Sequence, residues 1–541
     1  MKRRFELDQG WQLEAPGGGW LDIAVMPAQV HEILHSHGLI DDDFTIGIGE
    51  KIKWVAERDW TYRCSFEAGE GSARTYLYFG LLDTLVDVYL NGRHIAYSQS
   101  MYLPLRVEVT DSLEAQNLLE LKFRSPYQYM AAHPLPKEWE GRVKHHKILR
   151  KCVHDFSNYL GAQPYITAMG VGWSVYMEKT DAAEITRCDV TSSLSSGYGT
   201  GAVSLKLFTA DVPGLGAVAT VFGPDGETVG SGALDFAKEG GDTVATGCIG
   251  VENPALWWPA GHGAQPLYKV DVALTINGET VDTCTKHIGF RELHTNMNFE
   301  LTVNGRRIRL WGSNIPPVDG KTRRYNPERV ETLLDLAEMA HMKTLRIWGE
   351  GEPVDDRFYE ACDSRGILVW QEFFHGYDSQ PDTREFFDLC LEEGAHMVNR
   401  LKHHPCIFMW CGGNETIMGS EFDSPGLPVI GAEILLKDYK ALVERLDPDR
   451  YYHPTSPWGG PYANCPEVGD THGYEMWRYN PGMEYPVAFT EHMRVSGAAV
   501  KSLKRFMPDN EFWPEDYVDS TTYSRKNDGL MPKAWAYRAG G

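Results

Sequence analysis

The chain has no CxxC pair among its ten cysteines (Cys64, Cys152, Cys188, Cys248, Cys284, Cys362, Cys390, Cys406, Cys411 and Cys465), which argues against both a zinc ribbon and a disulfide framework. The thiols read as reduced and mostly buried. No apolar run approaches the roughly 18 residues of a membrane span, and no low-complexity segment is present. The start, Met1-Lys2-Arg3-Arg4-Phe5-Glu6-Leu7-Asp8, has a basic cluster without an apolar stretch behind it. That pattern predicts no signal peptide and a cytoplasmic location. Positive charge is short as well: 52 Lys and Arg stand against 75 Asp and Glu, a net charge of −23. Such a chain repels phosphate backbones and anionic lipid, so nucleic acid and membranes are not expected partners. His403 and His404 adjoin instead of lying one helical turn apart, and no HExxH occurs. Neither a metal nor a cofactor is expected.

At 541 residues the chain is too long for one core, and suggests roughly three or four domains. Aromatics make up 12%, with 16 Trp, which leans toward stacking on flat apolar faces such as those of sugar rings, although Trp is as often core. Up to about residue 183 the signals are short and strand-like: 74–79, 85–90, the turn Asn91-Gly92, then 93–97. Asn-Gly between alternating runs marks a hairpin, because a type I′ turn needs φ > 0 at both central residues. A jelly-roll β-sandwich over 1–183 is the natural container. Strands continue over 184–290, with a second Asn-Gly at 277–278, at the length of one immunoglobulin-like sandwich. A hairpin with a third Asn-Gly, Asn304-Gly305, follows.

From there to residue 541 strand and helix alternate, as in a (β/α)8 barrel. Ile308–Gly312 reads as the first strand. Asn326-Pro327 caps a helix, 343–348 is the second strand, 356–364 a helix, 366–373 the third strand and 384–402 a helix. Ile407-Phe408-Met409-Trp410-Cys411-Gly412-Gly413-Asn414-Glu415 is then a buried fourth strand that delivers a carboxylate to the rim. Shorter candidates near 452–455 and 468–472 precede Pro486-Val487-Ala488-Phe489-Thr490-Glu491, a seventh strand ending in a second Glu 76 residues on (491 − 415). Two carboxylates at strand ends, facing one another roughly 5 Å apart, suit a retaining glycosidase, with one as acid/base and the other as nucleophile. The competing reading is that each Glu caps a following helix.

The ordered set Leu256-Trp257-Trp258-Pro259, Ile288-Gly289-Phe290-Arg291, Trp311-Gly312-Ser313-Asn314, Arg346-Ile347-Trp348-Gly349, Trp410 to Glu415, Ser456-Pro457-Trp458-Gly459-Gly460 and Gly469-Asp470-Thr471-His472 resembles glycoside hydrolase family 2, on its β-mannosidase side. The resemblance spans nearly the whole chain from about residue 20. It implies a jelly-roll domain, an immunoglobulin-like domain and a catalytic barrel working by retention on a terminal β-linked sugar of an oligosaccharide or β-glycoside. By position it implies that Glu415 is the acid/base, Glu491 the nucleophile and Asn414 the partner of the sugar 2-hydroxyl. Arg346 would stabilise the Glu491 anion or serve as a structural ion pair. Asp470, His472, Tyr474 and Trp477 would line the glycone pocket. Trp348, Trp370 and Trp458 would stack on sugar or fill the barrel top. Glu350 and Glu352 read better as solvated loop charges, and Trp410 as part of an apolar setting that keeps Glu415 protonated.

The sequence departs from that branch at several places. Gly473 follows His472 where Tyr is usual, His492-Met493-Arg494 follows Glu491 in place of an aromatic and Gly, and Glu372 replaces an Asp on strand three. Only Gly172-Trp173-Ser174 stands for the loop by which the first domain reaches the sugar. β-Galactosidase, β-glucosaminidase and β-glucuronidase relatives, and a silent carbohydrate-binding protein on the same scaffold, stay open beside a β-mannosidase. After Glu491 the sequence offers a helix near 498–505 but no buried run for an eighth strand. The barrel is therefore expected to be incomplete in this chain, a fragment of a longer enzyme, prone to aggregation or homo-oligomer formation.

Overall fold

The computed structural model describes residues 2–41, 51–139, 147–155, 166–318, 323–377, 379–423, 425–473 and 487–491, with 501 and 504. Two antiparallel sheets form the first layer pair: four strands (Arg3–Glu6, Val175–Thr180, Arg74–Phe79 and Leu105–Glu108) against six (Trp20–Asp22, Trp11–Glu14, Trp60–Glu67, Gln116–Phe123, Val86–Leu90 and Arg93–Ser98). Alternate residues of Trp60–Glu67 turn inward, so Trp60 and Tyr62 fill the core with Trp11, Leu13, Leu119 and Leu121. Each such side chain contributes about 1.5–3 kcal/mol on burial. Asn91 and Gly92 have φ of 53° and 75°, and Leu90 pairs with Arg93 across them, so the two-residue turn forms as its residues dictate. Asn277-Gly278 and Asn304-Gly305 do the same. Two further four-stranded antiparallel sheets, running from Ile185 to Ile288, enclose a second core around Val203, Leu205, Val270 and Val272.

The barrel begins later than its apolar pattern predicts. Ile308 does not open it. That residue pairs with Leu301 in a three-stranded hairpin sheet, and the first barrel strand β1 is Gly312–Ile315, with Trp311 before it 63% exposed. The Asn304-Gly305 turn folds the run back, and Leu301, Val303 and Ile308 pack against Leu368, Trp370, Phe408 and Met409 as a plug inside the strands. From there β2 (Thr344–Ile347), β3 (Leu368–Glu372), β4 (Ile407–Cys411) and β5 (Tyr451–His453) join β1 in one parallel sheet in chain order. Strands β6 (Asp470–His472) and β7 (Ala488–Glu491) form a parallel pair. Helices α1 (Pro327–Met339), α2 (Asp356–Arg365) and α3 (Arg384–Leu401) intervene. The Asn326 side chain accepts from Arg329 N–H and Pro327 opens α1, as the sequence predicts. Among the described residues no helix is long and apolar enough to cross a membrane. The expected helix at 498–505 and the question of an eighth strand lie outside the described residues.

A buried ion network fastens the first sandwich to the barrel. Arg323, from the loop after β1, reaches Asp83 at 3.0 Å, Asp155 at 2.6 Å and Glu352 at 2.7 Å. Lys151 meets Asp83 and lies 2.8 Å from Asp155. These ions have left water, so each depends on its partners. Burial pushes the Glu352 carboxyl up to about 7, against the pull of Arg323, so the one carboxylate in excess of the two cations is the one that readily takes a proton. Glu352 is thus no solvated loop charge: its loop is folded under the sandwich. Beside it, Arg150 pairs with Glu393 of α3 at 2.6 Å, and Tyr102 stacks on Phe374 at 4.4 Å. Replacing Arg323 with Ala should leave Asp83 and Asp155 to share Lys151 alone and cost about 3–5 kcal/mol. Urea unfolding checks this, and a change within about 0.5 kcal/mol, the size of an ordinary surface effect, would refute it.

Candidate active site

Glu415 reaches the barrel mouth because two glycines let β4 pass where side chains would not fit. A Cβ on Gly412 would lie 2.0 Å from the Pro454 carbonyl, and Gly413 adopts φ 151° against His375. Main-chain bonds then pin the turn: Asn414 N–H to His375 O at 2.9 Å, Glu415 N–H to Ser456 O at 2.7 Å and Ser456 N–H to Gly413 O at 2.9 Å. Glu415 itself sits at φ 49°, a left-handed conformation unusual for a non-glycine residue. Strain of this kind persists only where its surroundings over-determine it. Glu491 ends β7 and pairs with His472 just past a register shift in the β6–β7 ladder.

Arg346, on β2, organises the centre. Its three nitrogens donate to Glu372 at 2.7 Å, Glu491 at 2.7 Å and Asn414 at 2.8 Å. Burial disfavours its charge, but Glu372 and Glu491 outweigh that and hold its pKa above the ordinary value. Burial holds the Glu491 carboxyl above its ordinary pKa, against the pull of Arg346. Asn414 donates in turn to Glu350 at 2.8 Å. The sequence reading missed this residue: Glu350 is fully buried, and burial pushes its carboxyl up to about 8. Its neighbours Gly349, Gly351 and Glu352 look like a solvated loop, but Asn414, the Tyr377 N–H and Cys152 close over it from distant elements. Its place just past the end of β2 was the available signal.

A polar relay runs behind Glu415. Asp470 is buried and accepts from His453 Nε2 at 2.8 Å, Trp458 N–H at 2.7 Å, Ser456 Oγ at 2.7 Å and Thr490 Oγ1 at 2.6 Å. Although burial opposes it, this set of donors, His453 foremost, holds Asp470 down at about 2. The Ser456 hydroxyl spends its proton on Asp470, so toward His472 Nε2, 3.0 Å away, it acts as acceptor. Burial lowers the His472 pKa, leaving a neutral ring with its one proton on Nε2. Its Nδ1 must then accept, and its contact at 2.5 Å is Glu415 Oε1. The relay therefore assigns a proton to Glu415. One ring nitrogen of His472 and one carboxylate oxygen each of Glu415 and Glu491 lie within 4.8 Å of one another.

The other residues singled out in the sequence fall in several places. Asp470 faces its own donors, so it orders Ser456 and His472 and does not line a pocket. Trp370 fills the barrel interior, 5.1 Å from Phe299 and 5.1 Å from the Arg346 guanidinium. Trp410 points into the helix layer, where its indole donates to Asp447 at 2.8 Å, so it gives Glu415 no apolar wall. Trp348 lines a cleft with Trp173 at the sandwich junction, and Trp458 is half-buried. Tyr474 and Trp477 lie outside the described residues. Among the described residues two clusters have the donors to hold a cation, Glu415-His472-Glu491 and Asp363-His404-Cys406. In the first, the Arg346 guanidinium already supplies the positive charge.

With that geometry in place, two consecutive sequence profiles match the chain: the glycosyl hydrolase 2 galactose-binding domain-like profile over residues 11–171 and the glycosyl hydrolases family 2 profile over 183–291. Both profiles are those of glycoside hydrolase family 2, and together they span the two sandwiches. The chain's similarity within the family runs to the β-mannosidases. It is 32% identical to β-mannosidase B of Thermothelomyces thermophilus over 96% of this chain and 65% of that protein, and 29% identical to β-mannosidase B of Emericella nidulans over 87% and 59%. The chain thus spans 65% or less of the length of these curated relatives. The crystal structure of a β-D-mannosidase from Dictyoglomus thermophilum superimposes with a TM-score of 0.84 at 26% identity, covering 95% of this chain and 66% of that one.

Glu350 gives the folded state a pH signature. Its carboxyl titrates near 4.5 when exposed and at about 8 when folded, so the native state binds the extra proton between those values. Its contribution is fully present below pH 4.5 and is lost as pH rises through about 8. Glu350→Gln removes that titration. The unfolding free energy of the variant relative to wild type should therefore rise by up to about 1.4 kcal/mol per pH unit in this window. Urea titrations at three pH values measure it, and a difference that stays flat would contradict the assignment.

Proposed function

We propose that this chain carries the catalytic centre of a retaining exo-β-glycosidase that removes terminal non-reducing β-linked mannose. The observation that carries the reading is the approach of Glu415, Glu491 and His472 within 4.8 Å, with His472 bonded to Glu415 and Arg346 to Glu491. Retaining enzymes keep their carboxyl groups about 5–5.5 Å apart, too close for an intervening water and right for a sugar carbon to bridge. Glu491, aligned by Arg346, attacks the anomeric carbon as Glu415 passes its proton to the departing oxygen. The resulting glycosyl ester at Glu491 is then hydrolysed by a water that Glu415, now a base, deprotonates. Asn414 is oriented through both its amide atoms by Arg346 and Glu350, and its second N–H is assigned to the sugar 2-hydroxyl.

The mannose assignment rests on the similarity to proteins named β-mannosidase. We assign 1–183 and 184–290 to the two sandwiches and 291–541 to the barrel, in keeping with the two profile matches. Ten free thiols favour a reducing, cytoplasmic setting. Association into homo-oligomers is an outcome to be read from light scattering.

Two measurements test the proposal. Glu491→Ala should abolish turnover, with azide restoring it as the glycosyl azide of opposite anomeric configuration. Glu415→Ala should lose about 10²–10⁴ in rate on substrates with poor leaving groups and much less on dinitrophenyl glycosides. Wild-type rates from both variants would sink the mechanism. A panel of nitrophenyl β-glycosides should rank the mannoside first. Preference for the galactoside or glucuronide would overturn the glycone assignment and leave the mechanism standing, whereas release from none would favour a sugar-binding role.

A further inference from the structure

The second sandwich carries a pair of thiols for which the proposed hydrolysis has no use. Ile185–Leu194 and Glu279–Ile288 are the outer strands of its two facing sheets, and they lie side by side along one edge. Two bonds tie them at the same offset: Ile185 N–H to Asp282 Oδ2 at 2.8 Å and Ser192 Oγ to Gly289 O at 2.9 Å. Both pairs are 97 residues apart (282 − 185 and 289 − 192), so position 188 falls opposite 285. Cys188 is therefore one residue out of step with Cys284. The two thiols are free and half-buried, and both line an open groove of about 460 Å³ between this sandwich and α3. Lys2, Arg187, Lys286 and Arg400 line the same groove together with Asp282, and Lys2, Arg187 and Arg400 also pair with carboxylates, so Lys286 is the cation set beside the thiols.

We propose that Cys188 and Cys284 form an oxidisable dithiol, and that reaction with a small anionic disulfide such as oxidised glutathione locks the edges of the two sheets together. The electrostatics give each sulfur its part. The hydrogen bond from Cys188 holds the Cys284 thiol below its ordinary pKa, with Lys286 helping, while Cys188 as donor is raised. Cys284 is the attacking thiolate. It displaces one glutathione thiolate and forms a mixed disulfide. Cys188 then loses its proton, attacks the Cys284 sulfur and displaces the second glutathione. Two protein thiols are oxidised by two electrons, one oxidised glutathione becomes two reduced ones, and the two thiol protons leave on them. The groove is open to the reagent, whereas Cys152, Cys362, Cys390, Cys406 and Cys411 are buried.

Incubating the full chain with oxidised glutathione, trapping with N-ethylmaleimide and mapping peptides tests this. The expected product is a Cys188–Cys284 linked peptide, two hydrogens lighter and restored by dithiothreitol, with an unfolding midpoint raised by about 5 °C for a loop of 96 residues (284 − 188). Exposed Cys248 should accept glutathione without forming any link. In Cys188→Ser, the mixed disulfide on Cys284 should persist. Wild-type protein in which Cys284 stays glutathionylated, or in which both thiols remain alkylatable, overturns the proposal, and this readout needs no variant to fold. Glycosidase activity is not part of it, so failure here and failure of the proposed function are separate results.

Discussion

Arg346 is the constraint on which the centre depends. It is a cation sealed inside the barrel, and its burial is tolerable only because β3 and β7 each bring a carboxylate to 2.7 Å and the end of β4 brings an amide oxygen to 2.8 Å. Removing one partner from such a cluster typically costs more than the intact cluster contributes to stability, because the desolvated remainder has nowhere to go. The arrangement therefore enforces geometry: strands from separate parts of the chain must arrive in one register for the charges to balance. The price of that burial is met by the apolar plug below, where Trp370 lies 5.1 Å from the guanidinium and Leu301, Val303 and Ile308 fill the strand interior.

The same economy separates the two carboxyls. Glu491 is held by a permanent cation, which favours its anion. Glu415 faces a neutral imidazole whose proton is committed to Ser456, and behind Ser456 stands an aspartate fixed as an anion by its four donors. Two chemically identical groups a few ångströms apart are thus given different partners, a fixed cation for one and an imidazole for the other.

Much of this was legible in the residues. The three Asn-Gly turns have one cheap conformation and took it. The β4 run, apolar to Cys411 and then glycine, announced both a buried strand and the emergence of its acid. Arg346 and Glu491 were visible as strand ends. What was not legible depended on partners far off in sequence. Ile308 to Trp311 has the composition of a strand wherever it is used, and only the hairpin partner decides that it plugs the barrel. Glu350 looks like a surface charge until Asn414, the Tyr377 amide and Cys152 surround it. Trp410 could face either side of β4, and Asp447, just past the helix Tyr439–Leu446, settles which. Local preference names the element, while burial of a polar group is a property of the assembled whole.

The network around Arg323 has a further consequence. A module that merely presents substrate would meet its neighbour through a hydrated, separable surface. Here Asp83 and Asp155 of the sandwich are the counter-ions of a cation that the barrel cannot shield by itself, and Glu393 in the barrel is answered by Arg150 in return. Each unit has left its charge ledger open for the other to close. The boundary between them is a seam in the sequence only. In the folded chain the sandwich supplies counter-ions to the barrel, and a barrel cut free at that seam would lose Asp83 and Asp155 from Arg323 and Arg150 from Glu393.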